Sequence, residues 1–106
     1  MAATKRTLNT AVKIRQGKAN VFAELGFAPD EAENLRVRAQ LMLHLRDVIA
    51  KRKLTQARAA KLFGVTQPRV SALVRGKIEL FSVDTLISML ARAGVKVAVT
   101  VHPRAA

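Results

Sequence analysis

The chain has 106 residues, half of them hydrophobic, which is enough for one compact domain with a tail and too little for two ordinary domains or a multi-lobed enzyme. Nineteen lysines and arginines against seven acids leave a formal charge of +12, a self-repulsion that points to a polyanionic partner, with nucleic acid first among the candidates. Cysteine is absent, which excludes disulfides, thiolate metal sites and thiol nucleophiles, and no apolar run approaches the roughly 18 residues that span a bilayer, so a soluble, cytosolic chain is expected.

Residues 1–20 carry Lys5, Arg6, Lys13, Arg15 and Lys18 with no acid, and are expected to be a basic, flexible arm. Alternation of Leu8, Thr10, Val12 and Ile14 leaves a second possibility open, a strand formed wherever an edge is offered. An organelle transit peptide is disfavoured, because the bases are scattered and serine is missing. Residues 21–106 are expected to form the folded domain. Its first stretch, 21–34, reverses the sign of the charge with Glu24, Asp30, Glu31 and Glu33 and no base.

Pro29, Asp30 and Glu33 make a capping-box-like start for a long helix whose apolar pattern runs over 35–54. Leu35, Val37, Ala39, Leu41, Met42, Leu43, Leu45, Val48 and Ile49 exceed one stripe, so a second surface must cover the excess. Lys51, Arg52 and Lys53 fall in the last turn, where the helix dipole favours cations. Thr55 caps a short helix over 56–63 that Gly64 ends. Thr66 caps the next, which takes Pro68 in its first turn and runs to Arg75 before Gly76. Ser82 caps a fourth helix with Val83, Leu86, Ile87 and Leu90 at core spacing and Gly94 at its end. Val95, Val97, Val99 and Val101 then alternate with Lys96, Ala98, Thr100 and His102, predicting a strand over 95–102 that needs a partner.

Over residues 54–77 the spacing meets the mechanical needs of a helix-turn-helix. Ala60 permits close approach of the two helices, Gly64 the reversal, Val65 plugs the turn, and Val70, Leu73 and Val74 form the buried side of the second helix. Pro68, Ser71, Ala72 and Arg75 face away from that stripe, with Arg69 on its flank and Gln67 at the exposed start. A helical hairpin that only builds a core would look similar, but the surrounding charge favours a DNA-facing surface. His44 and His102 lack a second ligand at metal spacing, Met42 and Met89 read as core filler, and no carboxylate pair faces a nucleophile. No enzymatic activity, metal or cofactor is expected.

The residues Leu54-Thr55-Gln56, Phe63-Gly64-Val65, Val70-Ser71 and Arg75-Gly76-Lys77 resemble the lambda-repressor-like, Xre-type helix-turn-helix. A wider stretch, 20–26 through Gln67-Pro68-Arg69 to 80–86 and the closing valines, is similar to the small Xre-type antitoxins of HigA-like toxin–antitoxin pairs. The resemblance implies a mainly α, lambda-repressor-like domain of four to five helices with a C-terminal strand. That strand, through Val95, Val97, Val99 and Val101, is expected to pair with its copy across a homodimer, placing two recognition helices ~34–36 Å apart on a near-palindromic operator. The implied function is a sequence-specific, double-stranded-DNA-binding transcriptional regulator of the bacterial cytoplasm and nucleoid, an antitoxin that autorepresses its operon and neutralises a RelE/HigB-like mRNA-cleaving toxin. The alternatives are a phage-type or metabolic Xre repressor without a toxin, or a toxin-masking module with little DNA binding.

Carried over from the family, Gln67 and Arg69 reach base edges, a task suited to an amide for adenine and a guanidinium for guanine. Pro68 stands where a polar residue is commoner, and either stiffens the helix entry or touches a thymine methyl. Gln56 contacts phosphate at the start of the preceding helix, and Thr66, Ser71, Arg75 and Lys77 are candidates for further phosphate contacts. Glu24, Asp30, Glu31 and Glu33 form the expected dock for a basic toxin.

Overall fold

The structure is a computed structural model that describes residues 12–14 and 20–103. In chain order these form β1 (Val12–Ile14), α1 (Val21–Glu24), α2 (Pro29–Lys51), α3 (Gln56–Phe63), α4 (Gln67–Val74), a 3-10 turn (Ile78–Leu80), α5 (Val83–Arg92) and β2 (Val97–Val99). The mainly helical domain with a C-terminal strand that the sequence implied is what the chain adopts.

Three short helices start on hydroxyl caps. The Thr55 side chain accepts from the Arg58 amide at 3.1 Å, that of Thr66 from the Arg69 amide at 3.4 Å, and that of Ser82 from the Thr85 amide at 3.2 Å. The start of α2 differs from the capping box expected of it. Its N-cap is Ala28, which makes no side-chain cap, and Glu33 turns to Arg36 instead, in a 2.7 Å ion pair. α1 has no counterpart in the sequence reading, although Asn20 gives it a side-chain cap by accepting from the amides of Phe22 and Ala23.

The 23-residue α2 is the spine, packed against α1, α4, α5 and the 3-10 turn. Leu41, Met42 and Leu45 from α2 join Ala59, Ala60 and Phe63 from α3, Val70 and Leu73 from α4, Phe81, and Leu86, Met89 and Leu90 from α5 in one core. Burial of this apolar surface is the main stabilising term, since a fully buried side chain of this kind is worth about 1.5–3 kcal/mol. The excess apolar surface of α2 is only partly covered. Leu43 stays exposed beside a shallow depression lined by Phe22, Ala39, Met42 and Ile78.

The end of α2 is shorter than its apolar run. Arg52 is the C-cap and Lys53 adopts a left-handed φ of 53°, so the chain turns away before Leu54. Lys51 pairs with Asp47, and Arg52 donates to the Ala93 carbonyl at 2.9 Å, tying the end of α2 to the end of α5. The basic triplet is therefore partly structural rather than only solvated.

The valine strand is also shorter than expected. Val95 is buried in the core before β2 begins, its amide donating to the Leu90 carbonyl, and Val101 lies beyond β2 and is 84% exposed. β2 does find a partner, and that partner is its own chain: β1 pairs with it in parallel, Val12 opposite Val97 and Ile14 opposite Val99. Thus part of the segment read as a basic arm is a strand, while residues 1–11 and 15–19 lie outside the described residues. With a sheet of two strands, one edge of β2 is left without a neighbour among the described residues.

Candidate nucleic-acid interface

The turn between α3 and α4 depends on Gly64, whose φ of 71° lies in the left-handed region and whose amide donates back to the Ala60 carbonyl. Val65 follows half-buried, and α4 then starts on Thr66 with Gln67 and Pro68 in its first turn. Proline costs nothing there, because the first amides of a helix have no partner within it. Val70 and Leu73 are fully buried, as their spacing predicted. Val74 is not: it stands 36% exposed at the end of the helix.

The opposite side of α4 is open. Gln67 and Pro68 are exposed at its start, Ser71 is half-buried along its length, and Arg75 and Lys77 are exposed past its end, whereas Ala72, expected to face outward, packs against the core. Gln56 stands half-buried at the first position of α3, and Thr66 is exposed with its hydroxyl engaged in the α4 cap. The structure therefore brings Gln67, Pro68, Thr66, Ser71, Arg75 and Lys77 onto one helix and its two ends.

Arg69 departs from this picture. Its guanidinium donates to the Leu80 carbonyl at 2.9 Å and lies over the Phe81 ring, 5.2 Å from the centroid, rather than extending outward beside Gln67. Arg38, from α2, reaches the same turn, donating to the Ile78 carbonyl at 3.2 Å and the Phe81 carbonyl at 3.3 Å while its Nε holds Asn34. Two arginines from two helices thus grip the segment that links α4 to α5. No sequence pattern announced this, since the recipients are backbone carbonyls.

Residues 35–77 contain eleven bases and one acid. Within that set, Arg36, Arg38, Lys51, Arg52 and Arg69 are engaged with groups of the protein itself. Arg46, Lys53, Arg58, Lys61, Arg75 and Lys77 are exposed, and their side chains make no ion pair or hydrogen bond among the described residues. Cations of this kind can neutralise a line of phosphates at little desolvation cost. Among the acids, Glu24, Asp30 and Glu31 are exposed on α1 and the first turn of α2, while Glu33 is half-buried on Arg36. No group of three His, Asp or Glu side chains among the described residues is placed to hold a metal, and no helix there is long and apolar enough to cross a membrane.

Comparison with known proteins agrees with this geometry. A family model described as a helix-turn-helix domain matches residues 21–102. A solved structure assigned to the XRE family of transcriptional regulators is 35% identical, covers 70% of this chain and is itself 83% covered, with a TM-score of 0.65. No curated protein matches. With a helix-turn-helix model spanning most of the sequence and an XRE regulator superposing on most of the fold, the chain belongs to the XRE family of helix-turn-helix proteins.

Proposed function

We propose that the protein is a double-stranded-DNA-binding transcriptional regulator that enters the major groove with α4. The observation that carries this reading is the two-sidedness of that helix. Val70 and Leu73 are sealed in the core, while Gln67 and Pro68 stand uncovered at its start and the unpaired cations Arg75 and Lys77 at its end. Base choice falls first to Gln67, whose amide can pair bidentately with adenine, and to Pro68, whose ring can meet a thymine methyl. Gln56, Thr66, Ser71, Arg75 and Lys77 supply phosphate contacts, which set register and most of the affinity. The relative's assignment as a transcriptional regulator supports the same reading. It calls for no catalysis and no cofactor.

A homodimer on a near-palindromic operator follows from the same physics. The free edge of β2 and the exposed Val99 at its end offer a self-complementary surface, and a pair of α4 helices can then address half-sites one turn apart. The test is footprinting of the protein on the DNA upstream of its own coding sequence, together with its sedimentation in solution. Protection of an inverted repeat by a dimer is the expected result, and equal affinity for operator and random duplex overturns the reading.

The finer reading is an antitoxin that masks a RelE/HigB-like toxin. Its support is the resemblance noted above and the exposed acids Glu24, Asp30 and Glu31, whose sign suits a basic RNA-cleaving enzyme. Co-purification of a small basic protein encoded next to this one is the expected outcome. A regulator expressed alone from its own promoter points to a phage-type or metabolic repressor instead.

A further inference from the structure

We infer that Arg69 is a positioning residue that sets the pose of the recognition helix, and that it does not read a base. This rests on the DNA-binding reading above. Arg69 lies on α4, two residues after Gln67, and its guanidinium is engaged twice away from the groove-facing end: by the Leu80 carbonyl at 2.9 Å and by the face of Phe81 at 5.2 Å. Phe81 is 1% exposed and belongs to the core, so the ring is a fixed platform rather than a mobile surface group. The same turn is also held by Arg38, whose two carbonyl contacts belong to Ile78 and Phe81.

The result is a brace from α2 through the 78–81 turn to α4. α4 is only eight residues long, and its direct packing on the spine is slight compared with that of α5. Such a helix needs a tether if its first turn is to meet the bases at a reproducible angle, because errors of about an ångström are enough to misplace a bidentate contact. For Arg69 to reach a guanine, it would have to give up a charge-assisted hydrogen bond and a desolvated ring face together. Gln67 has neither restraint. The half-site base pair read directly from the start of α4 is accordingly an A·T pair read by Gln67, not a G·C pair read by Arg69.

The experiment is selection of DNA from a library with randomised half-sites, followed by affinity measurements on the selected site and its single-base variants. It uses wild type, Arg69→Met, Phe81→Leu and Gln67→Ala, with thermal melting of each protein. Arg69→Met is expected to bind every variant roughly tenfold more weakly while keeping the wild-type order of base preference. Phe81→Leu should do the same, and adding it to Arg69→Met should cost little more, since both remove one tether. Gln67→Ala should flatten preference at one base pair with unchanged melting.

If Arg69→Met flattens preference at a particular G·C pair while Phe81→Leu leaves the order and affinity intact, Arg69 is a reader and the inference is overturned. If Phe81→Leu melts too early to assay, the intermediate Arg69→Lys decides. A brace predicts partial recovery of affinity with the base order unchanged, and a reader predicts a changed order. A wild-type protein that selects no sequence overturns the DNA-binding reading itself, an outcome distinct from either of these.

Discussion

The side chain of Arg92, the last residue of α5, lies directly against Gly64, in the space that a Cβ at position 64 would occupy. Gly64 therefore meets two demands at once, a left-handed backbone with a φ of 71° and a flat surface for its neighbour. Gly64→Ala is expected to lower stability by about 1–2 kcal/mol through the backbone alone. Part of any further loss comes from displacing Arg92. Urea denaturation of Gly64→Ala, Arg92→Ala and the double variant checks this: the double should cost less than the sum of the singles.

Arg38 gives a second prediction, about stability rather than recognition. Arg38→Met removes the donors to the Ile78 and Phe81 carbonyls together and is expected to cost about 1.5–3 kcal/mol, the range for hydrogen bonds to charged groups. Arg38→Lys should recover only part, because an ammonium can replace Nη1 at the carbonyls but has no Nε to hold Asn34 at the same time. Chemical denaturation measures both. Loss of less than a few tenths of a kcal/mol in Arg38→Met would show that the turn holds without it.

Arg75 and Lys77 are exposed and their side chains make no hydrogen bond or ion pair among the described residues, so their removal should leave folding untouched. Arg75→Ala and Lys77→Ala should each weaken binding to all duplexes alike and reduce the slope of log affinity against log salt by about one. Fluorescence anisotropy at several salt concentrations is the measurement. Equal salt slopes in wild type and Arg75→Ala would remove that residue from the phosphate set.

Removal of residues 1–14 deletes β1 and with it the only partner that β2 has among the described residues. The buried core described in the structure begins at Ala32, so helical content should be retained and stability should fall by no more than about 2 kcal/mol. With both edges of β2 then open, self-association should increase. Circular dichroism melts and analytical ultracentrifugation read the two effects separately.

Much of the helix-turn-helix was legible because its signals are local. Thr55, Thr66 and Ser82 mark helix starts by their own chemistry, and Gly64 marks the reversal, so α3, α4 and α5 fall within a residue or so of where spacing puts them. Features that depend on distant partners were hidden. Arg69 and Arg52 look like any other surface cations in sequence, and only the fold brings the Leu80 and Ala93 carbonyls to them. α1 was missed because four residues carry no helical period, although Asn20 at its start was a usable cap signal. The valine alternation showed a strand but not its partner, since the pairing of Val97 with Val12 joins opposite ends of the sequence.

That last pairing has a bearing on how the chain is made. The helical contacts of α2 to α5 all lie within residues 29–92 and can form once α5 has left the ribosome. β1 emerges first of all the described elements, yet must wait for β2, the last, before its backbone groups find their ladder. Nascent chains in which α5 has left the ribosome and Val97 has not should therefore already hold a protected helical core while β1 stays open to proteases, and the emergence of β2 closes the molecule like a clasp.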